Sequence, residues 1–314
     1  MQIARQLQEI TLDLSGGSCV TIGNFDGVHN GHRKLIGRMM AKAAKASLPG
    51  VVVTFCPHPL RVLVGPHTPP FITDYEKKLD LLEALGVDLT LMLQFTRELA
   101  ALEPEEFVRS ILVDGLNVKE LVVGYDYSFG KGRKGHFELL VELGEKYGFS
   151  CERLDPVIID GAVVSSTRIR DMIKAGDVWG VRPLMDRFYV VRGTVVHGKK
   201  RGGRLLGFPT ANLEVRDELV PGPGVYAVWV EVDGNLYKGV TNIGYNPTFG
   251  NETLSVETYI MDFDRDIYGW ELRLNFVHRL RDERKFSGLD DLMTQIRSDV
   301  ELGRQILDSQ EAGL

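Results

Sequence analysis

The chain lacks the features that would tie it to a membrane, an oxidising compartment or a nucleic acid. It has only three cysteines in 314 residues, Cys19, Cys56 and Cys151. They are too few and too scattered for a disulfide framework, and they fit a reducing cytosol. No apolar run approaches the ~20 residues of a spanning helix. The N-terminal MQIARQLQEITLDL has no apolar signal core. The expectation is a cytoplasmic protein without a membrane partner. A basic excess is missing too: 37 Lys and Arg against 43 Asp and Glu give a formal charge of −6, which does not support general nucleic-acid binding. Anionic ligands must then be met by local clusters. Internal repeats, low-complexity segments and a GxxxxGK[ST] Walker loop are also absent. What is present, 44% hydrophobic and 25% charged residues, describes a globular protein with room for two domains.

The pattern changes midway. Apolar runs at 19–23, 51–55, 89–93 and 120–124 read as strands. They alternate with helical stretches at 31–46, 75–85, 104–114 and 136–147, which implies right-handed βαβ units and a parallel sheet. From about 187 the strand-like runs FYVVRGTVV, VYAVWVEV, LYKGVTNI, SVETYIM and ELRLNFVHRL follow one another, with Asp233-Gly234 as a hairpin signal. One amphipathic helix, about 288–307, closes the chain. This predicts an α/β first domain over 1–184 and a small antiparallel β-barrel with a C-terminal helix over 185–314.

The most informative string is GNFDGVHNGH, 23–32, between the first strand and the first helix. Glycines 23, 27 and 31 let the backbone turn tightly, and His29 and His32 would share a face of the first helical turn. Free N–H groups and the helix dipole make that end hospitable to phosphate, so the reading is a nucleoside triphosphate site. Two alternatives stay open on spacing alone. The pair could bind zinc with Cys56 and His58, or simply cap the helix. A second glycine pattern, Gly130-x-Gly132-x-x-Gly135, fits the dinucleotide fingerprint. Its basic intervening residues, and the lack of an acidic partner closing a βαβ unit, argue against hydride chemistry.

GNFDGVHNGH resembles the HxGH signature of the nucleotidylyltransferases, in the form found in prokaryotic bifunctional riboflavin kinase/FMN adenylyltransferases. TFCPHPL (54–60), GYDYSFGKGRKG (124–135) and VSSTRIRDMI (164–173) match further motifs of that family in the same order. The resemblance implies a Rossmann-like adenylyltransferase domain joining FMN to ATP. His29 and His32 would be catalytic, meeting charge on the leaving pyrophosphate. Gly23, Asn24, Asp26, Gly31, Ser165, Ser166, Thr167 and Arg168 would bind ATP and phosphate. Phe55, Pro57, His58, Asp126 and Phe129 would line the flavin. Ser165, Ser166 or Thr167 can also serve as an ordinary N-cap, and Arg168 or Arg170 offers phosphate a planar fork.

HGKKRGGRLLGFPTANL (197–213) is the second strong string: a glycine-rich basic loop followed by GFPTAN, which resembles the riboflavin kinase signature. Gly198, Lys199, Arg201, Gly203 and Arg204 would wrap phosphates. Thr210 and Asn212 would hold Mg²⁺, for which hard oxygen donors are suited. In SVETYIMDFDRDIYG, Glu257 matches the base expected to take a proton from the ribityl 5′-hydroxyl. In VHRLRDERKFSGLDDL, Arg281, Glu283 and Phe286 match a segment that closes over the flavin. On charge alone this run reads as a solvated strand end, and Glu257 alone as a solvent-facing strand residue.

The resemblance spans about 18–306. Departures are Met185-Asp186-Arg187-Phe188 in the linker, His136-Phe137 after the third motif, and Asn246 where arginine is common. Expected cofactors are Mg²⁺ and ATP as co-substrate, with no tightly bound redox cofactor. Expected partners are riboflavin, FMN and FAD, with weak self-association. A chain keeping one activity, and a flavin carrier without turnover, are the competing readings.

Overall fold

Strands buried on both faces read as continuous apolar runs, and that is how the first half is built. A computed structural model describes residues 1–65, 68–198, 208–248 and 251–313. They form two units: Met1–Pro69 with Thr73–Ser165, and Pro70–Ile72 with Ser166–Leu314.

The first unit holds strands β1 (Gln2–Ala4), β2 (Ser18–Ile22), β3 (Gly50–Cys56), β4 (Leu89–Gln94), β5 (Val118–Gly124) and β6 (Ser150–Leu154). All are parallel, in the order β1-β4-β3-β2-β5-β6. Its helices are α1 (Asn30–Ala46), α2 (Pro59–Leu63), α3 (Tyr75–Ala84), α4 (Arg97–Ala100), α5 (Pro104–Phe107) and α6 (Phe137–Tyr147). The predicted helix over 104–114 is α5 continued as a π-helical run through Val113. Both sheet faces are covered. Val20 and Ile22 join Leu140 and Leu143 on one side, whereas Cys19 joins Ile36 and Met39 of α1 on the other. Chain direction across the sheet reverses between β2 and β5, the kind of switch point where ligands bind beyond the carboxyl ends of strands. The three motif loops follow β2, β3 and β5 at that edge. A small hairpin, β7 (Ile158–Ile159) and β8 (Ala162–Val163), comes last.

The second unit begins with α7 (Ser166–Ala175) and α8 (Val178–Met185), and then closes a barrel. Its strands are β9 (Tyr189–Val196), β10 (Thr210–Glu214), β11 (Gly224–Val232), β12 (Asn235–Thr248), β13 (Asn251–Ile260) and β14 (Glu271–Arg281), in the order β10-β13-β12-β11-β14-β9. Asp233 and Gly234 both take positive φ between β11 and β12, the turn that two-residue hairpins favour. Helix α9 (Leu289–Leu307) ends the unit, and Leu307 packs with Phe188, Ala227 and Val277. The linker departure is accommodated locally: Asp186 takes the left-handed C-cap of α8, and Phe188 is buried under the Arg182 guanidinium. Among the described residues no helix is long and apolar enough to cross a membrane.

Burial raises the Cys19 thiol and pushes Cys151 up to about 12. At about pH 8 the Cys151 thiolate is then roughly one part in ten thousand. Iodoacetamide should therefore label both residues far more slowly in the native protein than in urea, read by peptide mass spectrometry. Equal rates would show that these strand positions are open to solvent.

Candidate active sites

Residues 23–29 connect β2 to α1 through a turn that the backbone does not adopt freely. Phe25, Gly27 and Val28 have φ of 49°, 87° and 37°. Positive φ at a β-branched residue is uncommon, costs on the order of 1–3 kcal/mol, and persists only where surroundings over-determine it. His29 is the N-cap of α1, its Nδ1 accepting from His32 N at 3.4 Å. An accepting Nδ1 places the neutral ring's proton on Nε2, making that atom a donor. The two imidazoles stack with centroids 3.6 Å apart and planes 17° from parallel, and Phe25 stands edge-on to His32 at 5.3 Å. Capping and a paired-imidazole surface thus coexist. A Cβ at Gly31 would come within 3.1 Å of the His29 ring, and one at Gly23 within 3.1 Å of Phe25, so both glycines are spaces for rings.

Asn24 is exposed, whereas Asp26 is buried, its Oδ1 accepting from Thr73 N at 3.2 Å. Thr73 Oγ1 accepts from Gly27 N at 3.1 Å. The Asn24 carbonyl accepts from Thr54 Oγ1 at 3.2 Å and from Lys78 Nζ at 2.8 Å. Lys78 is 3% exposed, and burial lowers its ammonium pKa while nearby Asp26 opposes that shift. Among the described residues no group of three or more His, Cys, Asp or Glu side chains is placed to hold a metal ion. The zinc arrangement of His29, His32, Cys56 and His58 does not form.

In the loop after β3, Phe55 meets Phe95 edge-on and Pro57 follows a cis bond. His58 is buried as the N-cap of α2, its Nδ1 accepting from Leu60 N, and its backbone N donates to Tyr75 Oη at 2.8 Å. Burial pushes the Tyr75 phenol up to about 12. After β5, Asp126 is exposed, but the Phe129 ring is 6% exposed and packs into the core beside Phe107 and Tyr127. The Phe129 ring is thus turned into the core rather than toward a ligand, and Tyr125, 45% exposed, is the ring of this loop that faces outward. Gly130, Gly132 and Gly135 lie in a closed loop bridged at Phe129 and Gly135. His136 caps α6 through Nδ1, which accounts for its place after that loop. The SSTRIR string divides: Ser165 ends the first unit, while Ser166, Thr167 and Arg168 open α7 in the second.

In the barrel, Thr210 and Asn212 sit two apart on β10 and so share a face. Asn212 is directly opposite Glu257 of β13, and Glu257 is directly opposite Asn242 of β12. The two presumed Mg²⁺ ligands and the carboxylate therefore come together, with Asn242 a neighbour that the sequence reading missed. A Cβ at Gly198 would collide with the Asn212 amide, so the glycine-rich segment starts against it. Lys199, Arg201, Gly203 and Arg204 lie outside the described residues. The hydroxyl of Thr210 and the amide oxygen of Asn212 are neutral hard donors beside a carboxylate, a set that fits Mg²⁺.

Arg281 is tied to α9. Its Nε and Nη2 bind the Asp299 carboxylate of α9 at 2.8–3.0 Å, and Gln295 adds a bond at 2.7 Å. Its guanidinium lies 5.6 Å from the Phe286 ring centroid, and the Glu283 carboxylate lies against Gly244. The charge run is thus anchored by a carboxylate eighteen residues on, which no local pattern reveals. Asp299 is 5% exposed, so Asp299→Ala leaves a largely buried arginine unpaired. It should destabilise the barrel unit by about 2–4 kcal/mol in urea unfolding; a loss below about 0.5 kcal/mol would contradict a buried pair.

The family model described as FAD synthetase matches residues 13–168, and that described as riboflavin kinase matches 185–307. The bifunctional riboflavin kinase/FMN adenylyltransferase of Pseudomonas fluorescens is 39% identical over 308 residues, covering 98% of each chain. That of Bacillus subtilis is 38% identical over 288 residues, covering 90% of each. A solved structure described as a macrolide-efflux protein from Streptococcus pneumoniae superposes with a TM-score of 0.86 at 33% identity. It covers 96% of this chain and 98% of its own, and efflux is said of that protein alone. With both halves matched in order and relatives running nearly end to end, the chain belongs to the bifunctional riboflavin kinase/FMN adenylyltransferase family.

Proposed function

We infer that this protein phosphorylates riboflavin to FMN and adenylylates FMN to FAD, each at its own site. The observation that carries the reading is that two chemically different sites stand on two separately built units. One is a stacked imidazole pair at a helix N-terminus, and the other a carboxylate opposite Asn212 on adjacent strands.

In the adenylylation, an FMN phosphate oxygen attacks the α-phosphorus of ATP, and the bond to the β-phosphate oxygen breaks to release pyrophosphate. The chain supplies no nucleophile. Its work is positioning and charge stabilisation: Nε2–H of His29 and the His32 ring donate toward the phosphates, with α1 N–H groups behind them. Gly23, Asn24, Asp26 and Gly31 form the ATP cradle, and Ser165 serves the phosphates. Phe55, Pro57, His58 and Asp126 shape the flavin side.

In the phosphorylation, Glu257 takes the proton of the ribityl 5′-hydroxyl as that oxygen attacks the γ-phosphorus and ADP leaves. Thr210 and Asn212 would hold Mg²⁺, which would screen phosphate charge. Gly198 serves the phosphates, and Arg281 and Glu283 border the flavin. The functional division is drawn at 184/185, with ATP the shared co-substrate and no resident redox cofactor. A cytoplasmic, weakly self-associating enzyme without nucleic-acid or membrane partner accords with the −6 charge and free thiols.

Chromatography of riboflavin, FMN and FAD tests this. His32→Ala should lower FAD formation by about 10²–10³-fold and leave FMN formation within about twofold. Glu257→Gln should lower FMN formation by ~10²–10⁴-fold and leave adenylylation of supplied FMN intact. Loss of both activities in a folded variant of either kind would contradict two separate sites.

A further inference from the structure

Lys78 is a buried cation to which no part of the proposed chemistry gives a role. It sits on the face of α3 that also buries Leu82, four residues on. Its ammonium donates at 2.8 Å to the carbonyl of Asn24, the residue after Gly23 in the strained turn. Thr54 Oγ1 donates to the same oxygen. One turn earlier, Thr73 grips the other limb: its N–H donates to Asp26 Oδ1 and its hydroxyl accepts from Gly27 N. Tyr75, whose ring lies 5.2 Å from the Lys78 ammonium, accepts the His58 N–H of the neighbouring loop.

An ammonium is expensive to bury, and burial disfavours its charge here. A packed apolar side chain would fill the volume without that cost, so a structural role alone leaves the charge unexplained. The turn it holds needs such bracing. Phe25, Gly27 and Val28 all sit at positive φ, and the Asn24 peptide directs the chain into them.

We propose that Lys78 is a positioning residue of the adenylylation site. It fixes the Asn24 carbonyl so that the 23–27 backbone is set in advance for the triphosphate of ATP, with Thr73 as its partner on the far limb. This rests on the assignment of that turn to ATP. Pre-setting the cradle acts on nucleotide binding rather than on the flavin, which gives a split that general destabilisation cannot imitate: a smaller folded fraction lowers apparent kcat and leaves both KM values unchanged.

The test uses the full chain and measures FAD formation at varied ATP and varied FMN. Circular dichroism and the thermal transition of the variant serve as the fold control, and riboflavin phosphorylation in the same molecule serves as the unaffected second site. Lys78→Met keeps the length and removes the ammonium. It should raise KM for ATP at least tenfold, leave KM for FMN within twofold, and leave riboflavin phosphorylation unchanged. A folded Lys78→Met protein with KM for ATP within twofold of the parent overturns the proposal. Should Lys78→Met not fold, Thr73→Val decides: a rise of threefold or more in KM for ATP supports the brace, and an unchanged value overturns it. Asp26→Asn separates this inference from the reading beneath it. If Asp26→Asn and His32→Ala also leave ATP kinetics unchanged, the turn is not the ATP cradle and both fail. If they change them and Lys78→Met does not, only the brace fails.

Discussion

A protein of formal charge −6 that works on polyphosphates must make positive potential locally. The rest of the structure follows from that constraint. In the first unit the candidate source is geometric rather than net charge: the N-terminus of α1, and at its cap a ring whose Nδ1 accepts from its own helix. Because that cap bond fixes the tautomer, His29 is a donor in its neutral form.

The architecture supplies the rigidity this needs. The loops after β2, β3 and β5 emerge side by side from a sheet whose strands are buried on both faces. In the barrel, register does equivalent work. Asn212 and Glu257 are 45 residues apart in the chain, yet antiparallel pairing puts them directly opposite, with Asn242 completing the row. Each unit thus brings distant residues together with main-chain hydrogen bonds and leaves the side chains to the chemistry.

Much of this was legible in the residues. Long apolar runs gave β2, β3, β4 and β5 within two residues, and Asp233-Gly234 marked the hairpin. The terminal helix was read at nearly its true limits. Edge strands escaped: β1 has three residues, and β6, SCERL, has three polar residues of five and is only partly buried. Strand β10 hid inside TANLE, whose composition looks like loop. At the candidate sites, the motif strings pointed to residues that the structure brings together: the histidine pair at the start of α1, and Asn212 opposite Glu257. Two things escaped. His58 and His136 are helix caps, which residue type alone does not reveal, whereas capping was already an open reading for His29. Lys78 and Asp299 are charges buried through partners far along the chain; the one local hint was that Lys78 falls on the same helical face as Leu82.

Two separate nucleotide cradles in one chain is the claim on which the account stands. Calorimetric titration of a non-hydrolysable ATP analogue with Mg²⁺ into the full-length protein tests it most directly. The account predicts about two analogue molecules bound per chain, falling to one when His32 is replaced by alanine. A single equivalent in the parent protein, unaffected by that replacement, would contradict it.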